Sequence, residues 1–124
     1  MSPKLSIYSP FVASYIETAL WSSTDEDGTP LDDVRYCTAE FSSEATRKII
    51  EDCESFIKLS AGILDANTSG HPVAHDFWLT RNGHGVGFWD GDYPAYIGKA
   101  LTDLAHSFGE CDLYFGDDGK LYIS

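Results

Sequence analysis

The chain of 124 residues carries 20 Asp and Glu against 8 Lys and Arg, a formal charge of −12, yet 43% of it is hydrophobic and 14% aromatic. That composition excludes a disordered acidic tail, and the shortage of cations excludes a protein that neutralises a nucleic-acid backbone or an anionic membrane. No apolar run approaches the ~18 residues needed to cross a bilayer.

Met1 opens a stretch with no basic region followed by an apolar one, so no secretory signal is expected and the chain is placed in the cytoplasm as a single domain, 1–124. Pro10 suits a first helical position after Ser9, and Phe11, Tyr15, Ala19 and Leu20 recur at helical spacing, predicting a helix over 10–21. Thr24 to Asp33 reads as loop, because Gly, Pro and five acids leave nothing to bury. Ser42 can cap a second, longer helix whose apolar stripe is Ala45, Ile49, Cys53, Phe56, Ile57 and Leu64.

Asp76 to Asp90 reads as a β-hairpin turning at Asn82-Gly83, the pair that best accepts the positive φ of a type I′ turn. In that register Leu79 faces Val86 and Phe77 faces Phe88, with Trp78 and Trp89 diagonal on the other side. A third helix follows over 94–108, stopped by Gly109, and a second hairpin turns at Asp118-Gly119. The expected fold is α+β, three helices packed on a small antiparallel sheet made of two β-hairpins.

Charge concentrates in residues 25–65, which hold 11 acids and 4 bases. The candidate contact acids are Asp25, Glu26, Asp27, Asp32, Asp33, Glu44, Glu51, Asp52 and Glu54, and Trp78 and Trp89 are either core packing or an aromatic contact face. An EF-hand is rejected: counted from Asp25, Gly falls fourth and Tyr36 twelfth, where calcium loops need Gly sixth and Glu twelfth. His71 and His75 have a helical ligand spacing, but Pro72 between them and the absence of a Cys pair leave no metal site. Cys37, Cys53 and Cys111 are odd in number and widely spaced, as free thiols in a reducing compartment would be. No nucleophile motif or phosphate-cradling loop appears, so no catalytic residue and no cofactor is assigned. The best polar pair is Arg81 with His84 at the hairpin tip, an alternative ligand site with Arg81 as anion clamp and His84 as acid or base.

Three stretches together carry a resemblance: Tyr15-Ile-Glu-Thr-Ala-Leu-Trp-Ser-Ser, the Asp76–Asp90 segment, and Asp112-Leu-Tyr-Phe-Gly-Asp-Asp-Gly-Lys. From about residue 15 onward the chain resembles small acidic proteins of tailed bacteriophages and mobile elements that have no assigned function. The resemblance implies expression inside an infected bacterial cell and supplies no catalytic residues.

Charge and resemblance together give the expectation of a non-enzymatic accessory protein. It would bind and inhibit a basic host protein, a nucleic-acid-binding defence or replication factor, with nucleic-acid mimicry in anti-restriction or anti-CRISPR inhibition as the sharpest form. The rivals are acidity that serves only solubility, a small enzyme or ligand-binding module centred on Arg81 and His84, and a homodimeric scaffold using the Trp face.

Overall fold

The computed structural model describes residues 8–36, 39–63, 73–83, 88 and 93–124. Contacts divide the chain into two units, Met1–Glu51 with Cys111–Ser124, and Asp52–Glu110.

In the first unit, Ser9 and Pro10 start helix α1, Pro10–Ser22; the Ser9 hydroxyl accepts the Val12 N–H at 3.4 Å and Pro10 fills a position whose N–H would be unpaired. Val12, Ala13, Tyr15, Ile16, Ala19 and Leu20 are its buried face. The acidic loop that follows is tightly tied. Thr24 bridges to Pro30, the Asp25 N–H donates to the Thr29 carbonyl at 2.9 Å, and Gly28 takes the positive φ of 85° that the turn requires. A short 3-10 turn, Val34–Tyr36, leads to strand β1, Glu40–Phe41.

Strands β2, Leu113–Phe115, and β3, Lys120–Ile123, form the C-terminal hairpin, with Leu113 opposite Ile123 and Phe115 opposite Leu121. Gly119 supplies the positive φ of 83° at its turn. Strand β1 lies parallel on the far side of β3, Glu40 beside Lys120, so the sheet order is β1-β3-β2. Ser42 then caps helix α2, Ser43–Ser60, accepting the Ala45 N–H at 3.1 Å. Ala45 and Ile49 on its first turns are buried, as are Leu31, Leu113 and Leu121.

In the second unit, Cys53 and Phe56 continue the buried stripe of α2, whereas Ile57 is 43% exposed and lies off it. Helix α3, Val73–Arg81, packs on helix α4, Ala95–Ser107. An aromatic cluster joins them: the Phe56 and Phe77 rings stack at 4.0 Å, and Phe108 meets Phe77 edge-on at 5.1 Å. Gly98 lets α4 approach the Phe88 carbonyl so closely that an added Cβ would stand 2.7 Å from its oxygen.

The expected architecture of three helices on two antiparallel hairpins is therefore corrected. The described residues hold four helices and a mixed, partly parallel three-stranded sheet, with one hairpin rather than two. Residues 76–81 belong to α3, so the cross-strand pairing of Phe77, Trp78 and Leu79 does not exist; His84, Val86 and Trp89 lie outside the described residues. The physical reason is that α3 is buried nearly all round. Val73, Ala74, Asp76, Phe77, Trp78, Thr80 and Arg81 are all covered, which erases the one-sided 3.6-residue stripe and leaves a short run that mimics alternation. The backbone need of Asn82-Gly83 is present in another form. Gly83 has φ 71° and donates its N–H to the Thr80 carbonyl, closing the end of a helix rather than a hairpin.

Candidate functional site

The nine candidate acids differ in their surroundings. Asp25 is a structural group: one carboxylate oxygen accepts the Asp27 and Thr29 N–H groups, each at 2.9 Å, and the other accepts the Tyr36 hydroxyl. The Tyr36 hydroxyl, and then the Thr29 N–H, hold its carboxyl below the ordinary value of 3.8, and the same bond raises the Tyr36 phenol above 10.0. Arg35 approaches Asp33 at 3.4 Å and Asp25 at 3.8 Å. Asp52 accepts from Arg81. Glu26, Asp27, Asp32, Glu44, Glu51 and Glu54 remain exposed, with no ion pair among the described residues. On α2, Arg47 and Lys48 fall between Glu44 and Glu51, so that helix does not present an unbroken acidic row.

Acid and open space coincide in the first unit, which holds 12 acids against 5 bases. An open groove of about 540 Å³ is lined by Thr24, Asp25, Glu26, Asp27 and Tyr36 from the loop side, and by Tyr114, Phe115, Gly116 and Asp117 from the hairpin. Four carboxylates and three aromatic rings line it, and no cation does. Phe115 tilts against Tyr36 at 4.8 Å, and Tyr114 stacks on Tyr122 at 5.6 Å, so the rings are held in place although Tyr114 and Phe115 are 46% and 41% exposed. The hairpin end is set by Asp118, whose side chain accepts the Tyr122 hydroxyl and the Lys120 N–H; these bonds, the tyrosine's first, lower its pKa.

Of the residues lining this groove, sequence reasoning singled out only Asp25, Glu26 and Asp27. Tyr36, Tyr114, Phe115 and Asp117 were missed. The available signal was Tyr114-Phe115 itself: adjacent strand residues point to opposite faces, so a small sheet covered on one face must expose one of two consecutive aromatics.

Arg81, the alternative ligand residue, is built into the second unit. Its side chain is fully buried, donating to Asp52 Oδ2 at 2.8 Å, to the Gly109 carbonyl at 2.9 Å and to the Phe108 carbonyl at 3.1 Å. It lies over the Phe77 and Phe108 rings at 5.5 and 5.7 Å. It therefore closes the negative end of α4 and is not open to an anion from solvent. Trp78 is buried at 2% exposure and offers no contact face, and its proposed companion Trp89 lies outside the described residues.

Cys53 and Cys111 are free and buried; burial first, then the Asp52 carboxylate, raises the Cys53 thiol far above its ordinary value, which makes it inert. Among the described residues no cluster of three His, Cys, Asp or Glu side chains could hold a metal ion, and no helix is long and apolar enough to cross a membrane.

Comparison of the chain with protein families, with curated proteins and with solved structures finds no match in any of the three.

Proposed function

We propose that the protein is a non-enzymatic binding module that docks on a basic protein surface through the acidic groove of its first unit. The observation that carries this reading is the lining of that groove, Asp25, Glu26, Asp27 and Asp117 around Tyr36, Tyr114 and Phe115, without one basic side chain. Carboxylates attract Lys and Arg at a distance, and aromatic faces hold the cation once it arrives. The groove volume of about 540 Å³ lies in the range of about 300–1,000 Å³ common to ligand sites.

The setting proposed with it, which rests on the resemblance read from the sequence, is inhibition of a basic, nucleic-acid-binding defence or replication factor in an infected bacterial cell. Nucleic-acid mimicry draws less support than simple capture of a basic segment, because Arg47 and Lys48 interrupt the α2 acids. The enzyme alternative loses its anion clamp with the burial of Arg81.

A pull-down from host lysate tests the reading. Wild-type protein is expected to retain a basic target at low salt, release it at high salt, and lose it in the Glu26→Gln, Asp27→Asn, Asp117→Asn variant. A target held equally by that variant contradicts it.

A further inference from the structure

Among the described residues strand β2 leaves one edge without a partner, and Tyr114 and Phe115 of that strand line the acidic groove. In the hairpin, Asp112 and Ser124 exchange both backbone hydrogen bonds, at 3.3 and 3.0 Å, and the Gly116 N–H donates to the Lys120 carbonyl at 2.7 Å. Antiparallel ladders alternate, so the even-numbered residues 112, 114 and 116 face β3. The N–H and C=O of Leu113 and Phe115 then point the other way, and neither residue makes a backbone hydrogen bond on that side among the described residues. The sheet order β1-β3-β2 makes β2 terminal. Phe115 is 41% exposed and is itself part of the groove lining, together with Glu26, Asp27 and Asp117.

Natural sheets blunt exposed edges with Lys, Pro, bulges or a covering element. Among the described residues none of these stands on Leu113-Tyr-Phe115, a short run of large apolar residues whose Leu113 side chain is buried; Asp112 precedes it, and the groove residue Asp117 follows two positions after Phe115. Such an edge is a template for an extended chain, and strand addition takes affinity from main-chain bonds and specificity from alternate side chains.

We infer that the groove binds an extended, arginine- or lysine-rich segment of a partner protein by strand addition to β2, with alternate cationic side chains entering between the Asp25–Asp27 loop and Asp117. The inference rests on the basic-partner reading and specifies its mode. Every second residue of the segment lies on the Phe115 face of the sheet, where its cation meets the groove carboxylates and the Phe115 ring. The intervening residues face away and carry no charge requirement. Asp25 keeps its carboxylate ionised through its bonds to Tyr36 and Thr29, so it contributes field without having to move.

Binding of capped peptides that alternate Arg and Val tests this by calorimetry, using the unmodified peptide, one N-methylated at every arginine, and one N-methylated at every valine. Cytochrome c serves as a folded basic protein with no free strand. N-methylation removes the backbone donor and leaves the side-chain charge. One methylated peptide should bind about tenfold or more weaker than the unmodified one, and the other should bind nearly as well, since losing one or two hydrogen bonds is worth about that factor. Loss at the arginines marks antiparallel addition; loss at the valines marks parallel addition; either supports the inference. Equal affinity of the two methylated peptides overturns strand addition. In that case salt-sensitive binding of cytochrome c or of any of the peptides leaves the basic-partner reading standing. Failure of all the peptides and of cytochrome c to bind overturns both.

Discussion

Replacing Arg81 by Met keeps an unbranched stem over the Phe77 and Phe108 rings while removing charge-assisted hydrogen bonds, among them the three to Asp52 and to the Phe108 and Gly109 carbonyls. Bonds of that kind contribute about 1.5–3 kcal/mol each, so the gross loss is roughly 5–9 kcal/mol. Against it stands the desolvation cost of a buried guanidinium, several kcal/mol, which Met does not incur. Asp52, 19% exposed on its side chain, can turn partly to water, whereas the two carbonyls at the end of α4 lose their side-chain donors. A net destabilisation of about 2–4 kcal/mol is expected, a large share of the roughly 5–15 kcal/mol that holds a domain together. Lys at this position should fall between the two, because an ammonium on a flexible stem cannot reproduce the planar fork. Urea unfolding followed by far-ultraviolet circular dichroism measures this directly. A Met variant within about 1 kcal/mol of wild type would refute the assignment of Arg81 as a structural cation. The consequence for function is practical: loss of activity in an Arg81 variant must be compared with its folded fraction before any ligand role is drawn from it.

Three further outcomes follow from particular contacts. Gly83→Val should cost about 1–2 kcal/mol in thermal melts although nothing crowds the site, because its φ of 71° resists a β-branched residue; an unchanged midpoint would place the end of α3 elsewhere. Gly98→Ala should cost about 1–3 kcal/mol, since its Cβ would press on the Phe88 carbonyl at 2.7 Å; neutral behaviour would mean that α4 does not approach Phe88 so closely. Asp25 has a depressed folded value, so its support of the acidic loop is complete above 3.8 and is lost as pH falls below that through the native value; carboxyl NMR titration should show this, and Tyr36→Phe should move the value back toward 3.8. An Asp25 titrating at 3.8 in wild type would contradict the Tyr36 bond.

The sequence made the helices at 10–22, 43–60 and 95–107 legible because each has a start signal, an apolar stripe or a glycine stop within its own span. The C-terminal hairpin was legible for the same local reason, through Gly116-Asp-Asp-Gly between two apolar runs. Strand β1 was not, because two residues cannot display a period and its partner β3 lies some eighty residues away. Helix α3 failed for the opposite reason, being covered on every face so that no stripe marked it. The acids of the loop at 25–27 were found from charge alone, but Asp117, Tyr114 and Phe115 enter the groove through tertiary placement. Arg81 shows the same limit: its type suggested a ligand, and only its neighbours reveal a helix cap.

The central claim, that the groove carboxylates bind a basic partner, is tested most directly by the dissociation constant of the captured partner across a salt series. Wild type and the Glu26→Gln, Asp27→Asn, Asp117→Asn variant are measured side by side. Exposed charges are screened beyond about 8–10 Å at physiological salt, so wild-type affinity should fall steeply with ionic strength. The variant should bind more weakly at low salt, with a shallower slope, and the two lines should converge at high salt. A flat wild-type response, or parallel lines of equal affinity, would contradict the account.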